Sequence, residues 1–242
     1  MQEGKAGVSP NNERQESTYQ ANTEIHRTQK SKRIEAAMTV KVDVYYDFRS
    51  SYAYFANYRV REGLPGLATK IEWVWHPISI EVMLNLQADS EPWATYVDTL
   101  QPAKRAYSGV DAPRMAEFYG APYKSWWPSR PNSIPALCAA HLLGEKEAEF
   151  RNVVFNGLYW EQRDIADPTF LADALVRAGG DRKILDEAFD PSARDKLAKR
   201  TAEAYANGVF GVPSFVYDRE IFFGADRLEV LAWRVNRASV PR

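Results

Sequence analysis

Between Lys41 and Trp75 the spacing of apolar residues changes twice, and that change restricts the fold more than any other feature of the chain. Lys41-Val42-Asp43-Val44-Tyr45-Tyr46 alternates in character and is rich in β-branched and aromatic residues, which predicts a strand. Asp47 to Ser51 offers polar capping residues, and Tyr52 to Arg61 reads as a helix ending near Gly63 and Pro65. Lys70-Ile71-Glu72-Trp73-Val74-Trp75 is a second strand, stopped by Pro77. Strand, helix and strand over so short a length make a βαβ unit, whose strands run parallel and are joined by a right-handed crossover.

Residues 80–207 read as almost wholly helical. Asp167-Pro168 sets a capping residue before a proline at the first helical position, and Phe170, Leu171, Ala174, Leu175 and Ala178 share one apolar face up to Gly179. Asp181 suits the cap of a short helix carrying Ile184, Leu185, Ala188 and Phe189. Ser192 with Asp195 resembles a capping box for a helix that ends at Gly208. Period two then returns in Ser214-Phe215-Val216-Tyr217 and Glu220-Ile221-Phe222-Phe223, on either side of a tight turn at Asp218-Arg219. Gly224-Ala225-Asp226 leads into a final amphipathic helix with Leu228, Val230, Leu231 and Val235 as its apolar residues.

The order is therefore βαβ, a helical block, then ββα. Neither strand-bearing piece can bury a sheet alone, so the two should merge into one four-stranded mixed sheet with helices packed on it. This is an α/β fold with the thioredoxin-like arrangement and a helical insertion domain. The expected divisions are a thioredoxin-like domain from 38–79 and 208–242, an inserted helical domain at 80–207, and a polar extension at 1–37. That extension has Tyr19 as its only aromatic and too little apolar surface to offset its ordering entropy, so disorder is expected there.

A formal net charge of -1 leaves no general attraction to nucleic acid or anionic lipid. No window approaches the run of about 18 apolar residues that spans a bilayer, and residues 1–37 hold no apolar core of a secretory signal. The one cysteine, Cys138, lies in an apolar helical context and is expected to be a buried small hydrophobe. With no internal disulfide available, the cytoplasm is the expected location. His26, His76 and His141 show no metal-ligand spacing, so no metal is expected. No phosphate loop or dinucleotide fingerprint is present.

Three segments carry a resemblance: Asp47-Phe48-Arg49-Ser50-Ser51-Tyr52, Asn207-Gly208-Val209-Phe210-Gly211-Val212-Pro213, and Phe222-Phe223-Gly224-Ala225-Asp226-Arg227-Leu228. Pro102 to Tyr107 with Asp111 and Arg114, and Trp160 to Ile165, add to it. Together they resemble the DsbA-like thioredoxin-fold family, in its branch of 2-hydroxychromene-2-carboxylate isomerases and kappa-class glutathione transferases. The resemblance implies glutathione as cofactor, with Ser50 facing its sulfur. Elementary physics points the same way, because a helix N-terminus and a hydroxyl donor both favour a thiolate over a thiol; a plain helix cap is the competing reading of Ser50. The resemblance further implies a cis peptide at Val212-Pro213 that presents backbone groups to the tripeptide. It gives Asp226, with Arg227 beside it, as the grip on the glutamyl end, and Lys104 as the reach to the glycyl carboxylate. A turn proline, an ordinary N-cap and a solvated lysine are the respective alternatives. Ser51 replaces the proline usual in the family, and Asn85 is a weak stand-in for a glutathione-contacting asparagine.

Around this framework, Arg49 either binds a substrate carboxylate or points to solvent. His76, at the end of the second strand, is a candidate general base. Trp126 and Trp127, flanked by Pro128 and Pro131, are candidates for an aromatic pocket. The helix start holds no sulfur, which removes dithiol exchange from consideration. The implied activity is isomerisation of an aromatic-degradation intermediate through reversible addition of the glutathione thiolate, with a small aromatic or unsaturated carboxylate as partner. A kappa-like transferase or peroxidase, and a non-catalytic thioredoxin-fold binding protein, remain open beside it, as does assembly into a homodimer.

Overall fold

Alternation along the first strand, β1 (Val40–Tyr46), puts Val42, Val44 and Tyr46 on one face, and all three are wholly buried. The computed structural model describes residues 39–95, 101–125 and 131–238. Helix α1 (Ser51–Glu62) and strand β2 (Ile71–Pro77) complete the βαβ unit. Pro77 lies inside the last position of β2 rather than beyond it; β2 is an edge strand, where a missing N–H does no harm.

Among the described residues seven α-helices follow in chain order: α2 (Ile80–Gln87), α3 (Pro102–Tyr119), α4 (Ile134–Leu143), α5 (Glu147–Tyr159), α6 (Pro168–Arg177), α7 (Lys183–Phe189) and α8 (Pro191–Ala206). Strands β3 (Ser214–Tyr217) and β4 (Glu220–Phe223) and helix α9 (Leu228–Ala238) close the fold. The expected four-stranded mixed sheet is present in the order β2-β1-β3-β4, with β1–β3 and β3–β4 antiparallel. Asp218 and Arg219 form the β3–β4 turn with φ of 49° and 66°, both left-handed, which suits the twist of a two-residue hairpin.

The sheet has two unlike faces. On one, Tyr46 and Phe48 pack edge-on beneath α1 and α5 with Phe155. Buried charge is embedded there: the Tyr46 hydroxyl donates to Glu147, which pairs with Arg151. Arg151 also donates through Nε to Asn57 Oδ1 at 2.8 Å, and its guanidinium lies 3.9 Å over the Trp75 ring. On the other face, Tyr45 and Val216 pack against Ile78, Met83, Ala204, Val209 and Val212, under α2 and α8.

Two expected details differ. Helix α8 is capped by Asp190, which accepts from Ser192 N at 2.8 Å; Pro191 occupies the first helical position, so Ser192 falls inside the helix rather than before it. On α9, Val230 is exposed, and Ala232 joins Leu228, Leu231 and Val235 against the core. Cys138 is buried as expected. Residues 1–37, Trp126 and Trp127 lie outside the described residues. Among the described residues, no helix is long and apolar enough to cross a membrane.

Candidate functional site

The sheet register builds the site. Tyr45 stands opposite Ser214, so the Val212-Pro213 segment leaves β3 just where β1 ends and the Asp47–Ser50 loop begins. Asp47, wholly buried, fixes that loop from below. Its carboxylate accepts from Arg49 N and from Ile80 N, both at 2.9 Å, and its carbonyl accepts from Ser50 N at 3.0 Å. One acidic side chain thus ties the loop to the start of α2.

Ser50 is the N-cap of α1, with φ -89° and ψ 111°. Its Oγ accepts from Ala53 N at 3.2 Å and donates to Val212 O at 3.3 Å. The cap role and contact with the proline segment therefore coexist in one hydroxyl. Val212-Pro213 is cis, as the resemblance implies. Pro213 O accepts from Gly224 N at 2.9 Å, and Gly224 O accepts from Arg227 N at 3.1 Å. Gly224 has φ of 102°, and a Cβ on it would fall 2.5 Å from Asp226 Oδ1. Only glycine fits there without moving the aspartate.

The three resembling segments therefore meet at one end of the sheet's strands. Asp226 and Arg227, both half-exposed, pair with each other at 2.8 Å inside a short 3-10 turn, Ala225–Arg227, so Asp226 is not the N-cap of α9. Arg59 of α1 holds this turn. It donates to Ala225 O at 2.9 Å, pairs with Glu229, and lies 4.4 Å over the Tyr119 ring.

The other candidates divide. Lys104 is exposed in the first turn of α3, where no described residue pairs with its amine. Arg49 neither points freely to solvent nor stands unpaired: its guanidinium meets Glu81 at 2.9 Å beside the Ser50 loop. Asn85 is buried and spends its amide on Pro92 O (3.1 Å) and Ala94 O (2.9 Å), which makes it a staple of the loop after α2 rather than a free ligand contact. His76 faces the α2–α8 side of the sheet, away from α1. Its Nε2 lies 2.7 Å from Asp43 Oδ1 and its ring stacks on Tyr45. Burial pushes its pKa down despite the pull of Asp43, whose own pKa is lowered by the imidazole and by Lys41 against its burial. A carboxylate only accepts, so the neutral ring donates from Nε2.

Two constellations near Ser50 escaped the sequence reading as site features. Tyr52 donates to Asp111 Oδ2 (2.7 Å), while Tyr107 (2.9 Å) and Arg114 (3.3 Å) bind Oδ1 of the same carboxylate. Burial and then Asp111 push the Tyr52 phenol well above its ordinary range. The spacing of Tyr107, Asp111 and Arg114 along one helical face was the available signal. The second is a tyrosine stack: Tyr54 on Tyr159 (5.0 Å, 26°) and Tyr159 on Tyr123 (5.6 Å, 21°). Nothing in local spacing announces it. Among the described residues, no cluster of His, Cys, Asp and Glu is arranged to hold a metal. An open cavity of ≈ 400 Å³ between α6 and α7, lined by Pro168, Thr169, Arg182 and Leu185 among others, shares no residue with the site.

The model of the DSBA-like thioredoxin domain matches residues 41–236, which include the sheet and every element of the site. The chain belongs to that family. It is 28% identical over 208 residues to 2-hydroxychromene-2-carboxylate isomerase of Pseudomonas sp. (strain C18), covering 84% of this chain and 93% of the relative. The enzyme of the same name from Pseudomonas putida is 29% identical over 206 residues, covering 81% of this chain and 94% of the relative. The solved structure of a selenomethionine-labelled 2-hydroxychromene-2-carboxylate isomerase superposes with a TM-score of 0.68 at 25% identity, covering 82% of this chain and 95% of that one.

Proposed function

We propose that this DSBA-like protein is a cytoplasmic, glutathione-dependent isomerase of the 2-hydroxychromene-2-carboxylate type, acting on an intermediate of aromatic degradation. The observation that carries the reading is the sulfur-free helix start. A serine hydroxyl caps α1 there and touches the carbonyl of Val212, where disulfide-exchanging relatives of the wider fold need a thiol. Relatives matched across more than nine-tenths of their own length bear the isomerase name.

The donor set suits a thiol tripeptide. Glutathione, when bound, supplies a thiolate nucleophile for an activated carbon–carbon double bond. The free N–H groups of the first turn of α1 and the Ser50 hydroxyl would lower the thiol pKa from about 8.5 and hold the sulfur in place. Val212 offers backbone groups for extended-strand pairing. Asp226, Arg227 and Lys104, all exposed and charged, would receive the charged ends of the tripeptide. Arg49, already near the loop, would bring a positive charge to a substrate carboxylate while Glu81 holds its orientation.

A thermal-shift titration with glutathione tests this directly, since a ligand bound only by the folded state raises the midpoint. Ser50→Ala should leave the fold intact at a cost of about 1 kcal/mol for the lost cap and cut turnover by far more than that stability change. Free thiol should stay constant during turnover; its consumption would mark a transferase instead. A midpoint unmoved by millimolar glutathione would refute the proposal.

A further inference from the structure

Arg59, in the last turn of α1, is buried and serves one junction. Its Nη1 donates to Ala225 O at 2.9 Å and to Glu229 Oε2 at 3.2 Å, while Nη2 donates to Glu229 Oε1. Glu229 lies in the first turn of α9, so the two nitrogens make a forked grip on that helix start. Tyr119, the last residue of α3, covers the guanidinium with its ring at 4.4 Å. One side chain of α1 thus joins α3, α9 and the 3-10 turn Ala225–Arg227.

The grip falls on the atom that shapes the turn. Ala225 O also accepts from Leu228 N, which closes the turn on its C-terminal side. On the other side Arg227 N is tied to Gly224 O, and Gly224 N to Pro213 O. Between these anchors stand Asp226 and Arg227, paired with each other and half-exposed. Contacts to exposed charges gain little when the side chains must first be ordered. A planar guanidinium fixed behind the turn lowers that cost, since its fork is preset by geometry. From Ser50 to Arg59 the helix rises about 13 Å, so α1 is a rigid spacer between the sulfur end of the site and this turn.

We infer that Arg59 is the positioning residue for the amino-acid head of a bound γ-glutamyl thiol. It touches no ligand atom. By fixing the turn against the far end of α1, it holds the Asp226 carboxylate and the Arg227 guanidinium where an ammonium and a carboxylate on one carbon can meet both. The site thereby favours γ-glutamyl thiols over shorter ones. This rests on the glutathione-dependent reading above and adds to it the residue that sets the distance between the two ends of the ligand.

The test is calorimetric titration of the full chain with glutathione and with cysteinylglycine, which keeps the thiol and the glycyl end but lacks the γ-glutamyl group. The unaltered chain should bind glutathione the more tightly. Arg59→Gln should lower the ratio of the two affinities about tenfold, while cysteinylglycine binding stays within about twofold. Glu229 is 55% exposed, so water can replace the lost guanidinium and the variant should fold. Arg59→Lys keeps the charge without the fork and should lose most of the same ratio; it supplies the reading if Arg59→Gln fails to fold. An unchanged ratio, or an equal loss for both thiols, would overturn the inference. If the unaltered chain binds neither thiol, the glutathione-dependent reading falls and this inference with it. If glutathione binds but the ratio ignores position 59, this inference alone falls.

Discussion

Two clusters in this protein have the same chemical composition, a tyrosine, a carboxylate and an arginine, and opposite surroundings. Tyr46, Glu147 and Arg151 are sealed under α1 and α5, whereas Tyr52, Asp111 and Arg114 sit at the rim with the arginine 60% exposed. In the interior, burial dominates and pushes the Glu147 carboxyl up despite the guanidinium beside it. At the rim Asp111 is buried too, but Tyr107 and Arg114 reach it from the solvent side. The same three groups therefore hold the core in one place and orient a helix start in the other, because solvent sets how much each contact is worth.

The largest expected effect breaks the interior cluster. Arg151→Met strands Glu147 and the Asn57 carbonyl in a buried site and should cost about 3–5 kcal/mol, read as a fall in the urea midpoint. Asp111→Asn should cost roughly 1 kcal/mol by the same measurement, since one uncharged acceptor remains for Tyr52. Its consequence should fall instead on glutathione affinity, because Tyr52 belongs to the first turn of α1. Raising salt to 1 M should shrink the Asp111→Asn difference and leave the Arg151→Met difference nearly unchanged, since screening acts on exposed pairs. If both variants respond alike to salt, the contrast between the clusters fails.

The smallest effect is on pH dependence. His76 and His141 are both held below their ordinary pKa by burial. The unfolded chain then binds protons near pH 6.5 that the folded chain refuses. Their contribution to stability is full above that value and declines as the pH falls from about 6.5 toward the folded pKa. Denaturation midpoints should drop between pH 7.5 and 5.5, and a His76→Gln, His141→Gln double variant should flatten the slope. Asp43, held low, adds a further loss only below about pH 3.8.

How far these features could be read in advance follows from their range along the chain. The strands were legible because alternation is local, and the pairing of Ser50 with Val212-Pro213 was legible only through the resemblance, since 162 residues separate them. The cap of α8 was displaced by two residues because Asp190 and Ser192 are both good caps and only Pro191 between them decides. Asn85 looked like a free amide because its partners come from a loop that doubles back on it. His76 ends the second strand on the face of Tyr45 and Val216, where Asp43 takes up its Nε2, a placement set by one residue of alternation. The Tyr46–Glu147 contact spans 101 residues and left no pattern to find.

Much of the scaffolding around Ser50 is written in main-chain atoms: the carbonyls of Asp47, Val212 and Pro213, and the amides of Ala53 and Gly224. Such atoms are the same whatever side chain they carry. Side chains around Ser50 can therefore change widely while this frame persists, provided a few positions such as Gly224 and Asp47 stay put. A chain that differs from its matched relatives at more than two positions in every three can keep such a main-chain frame.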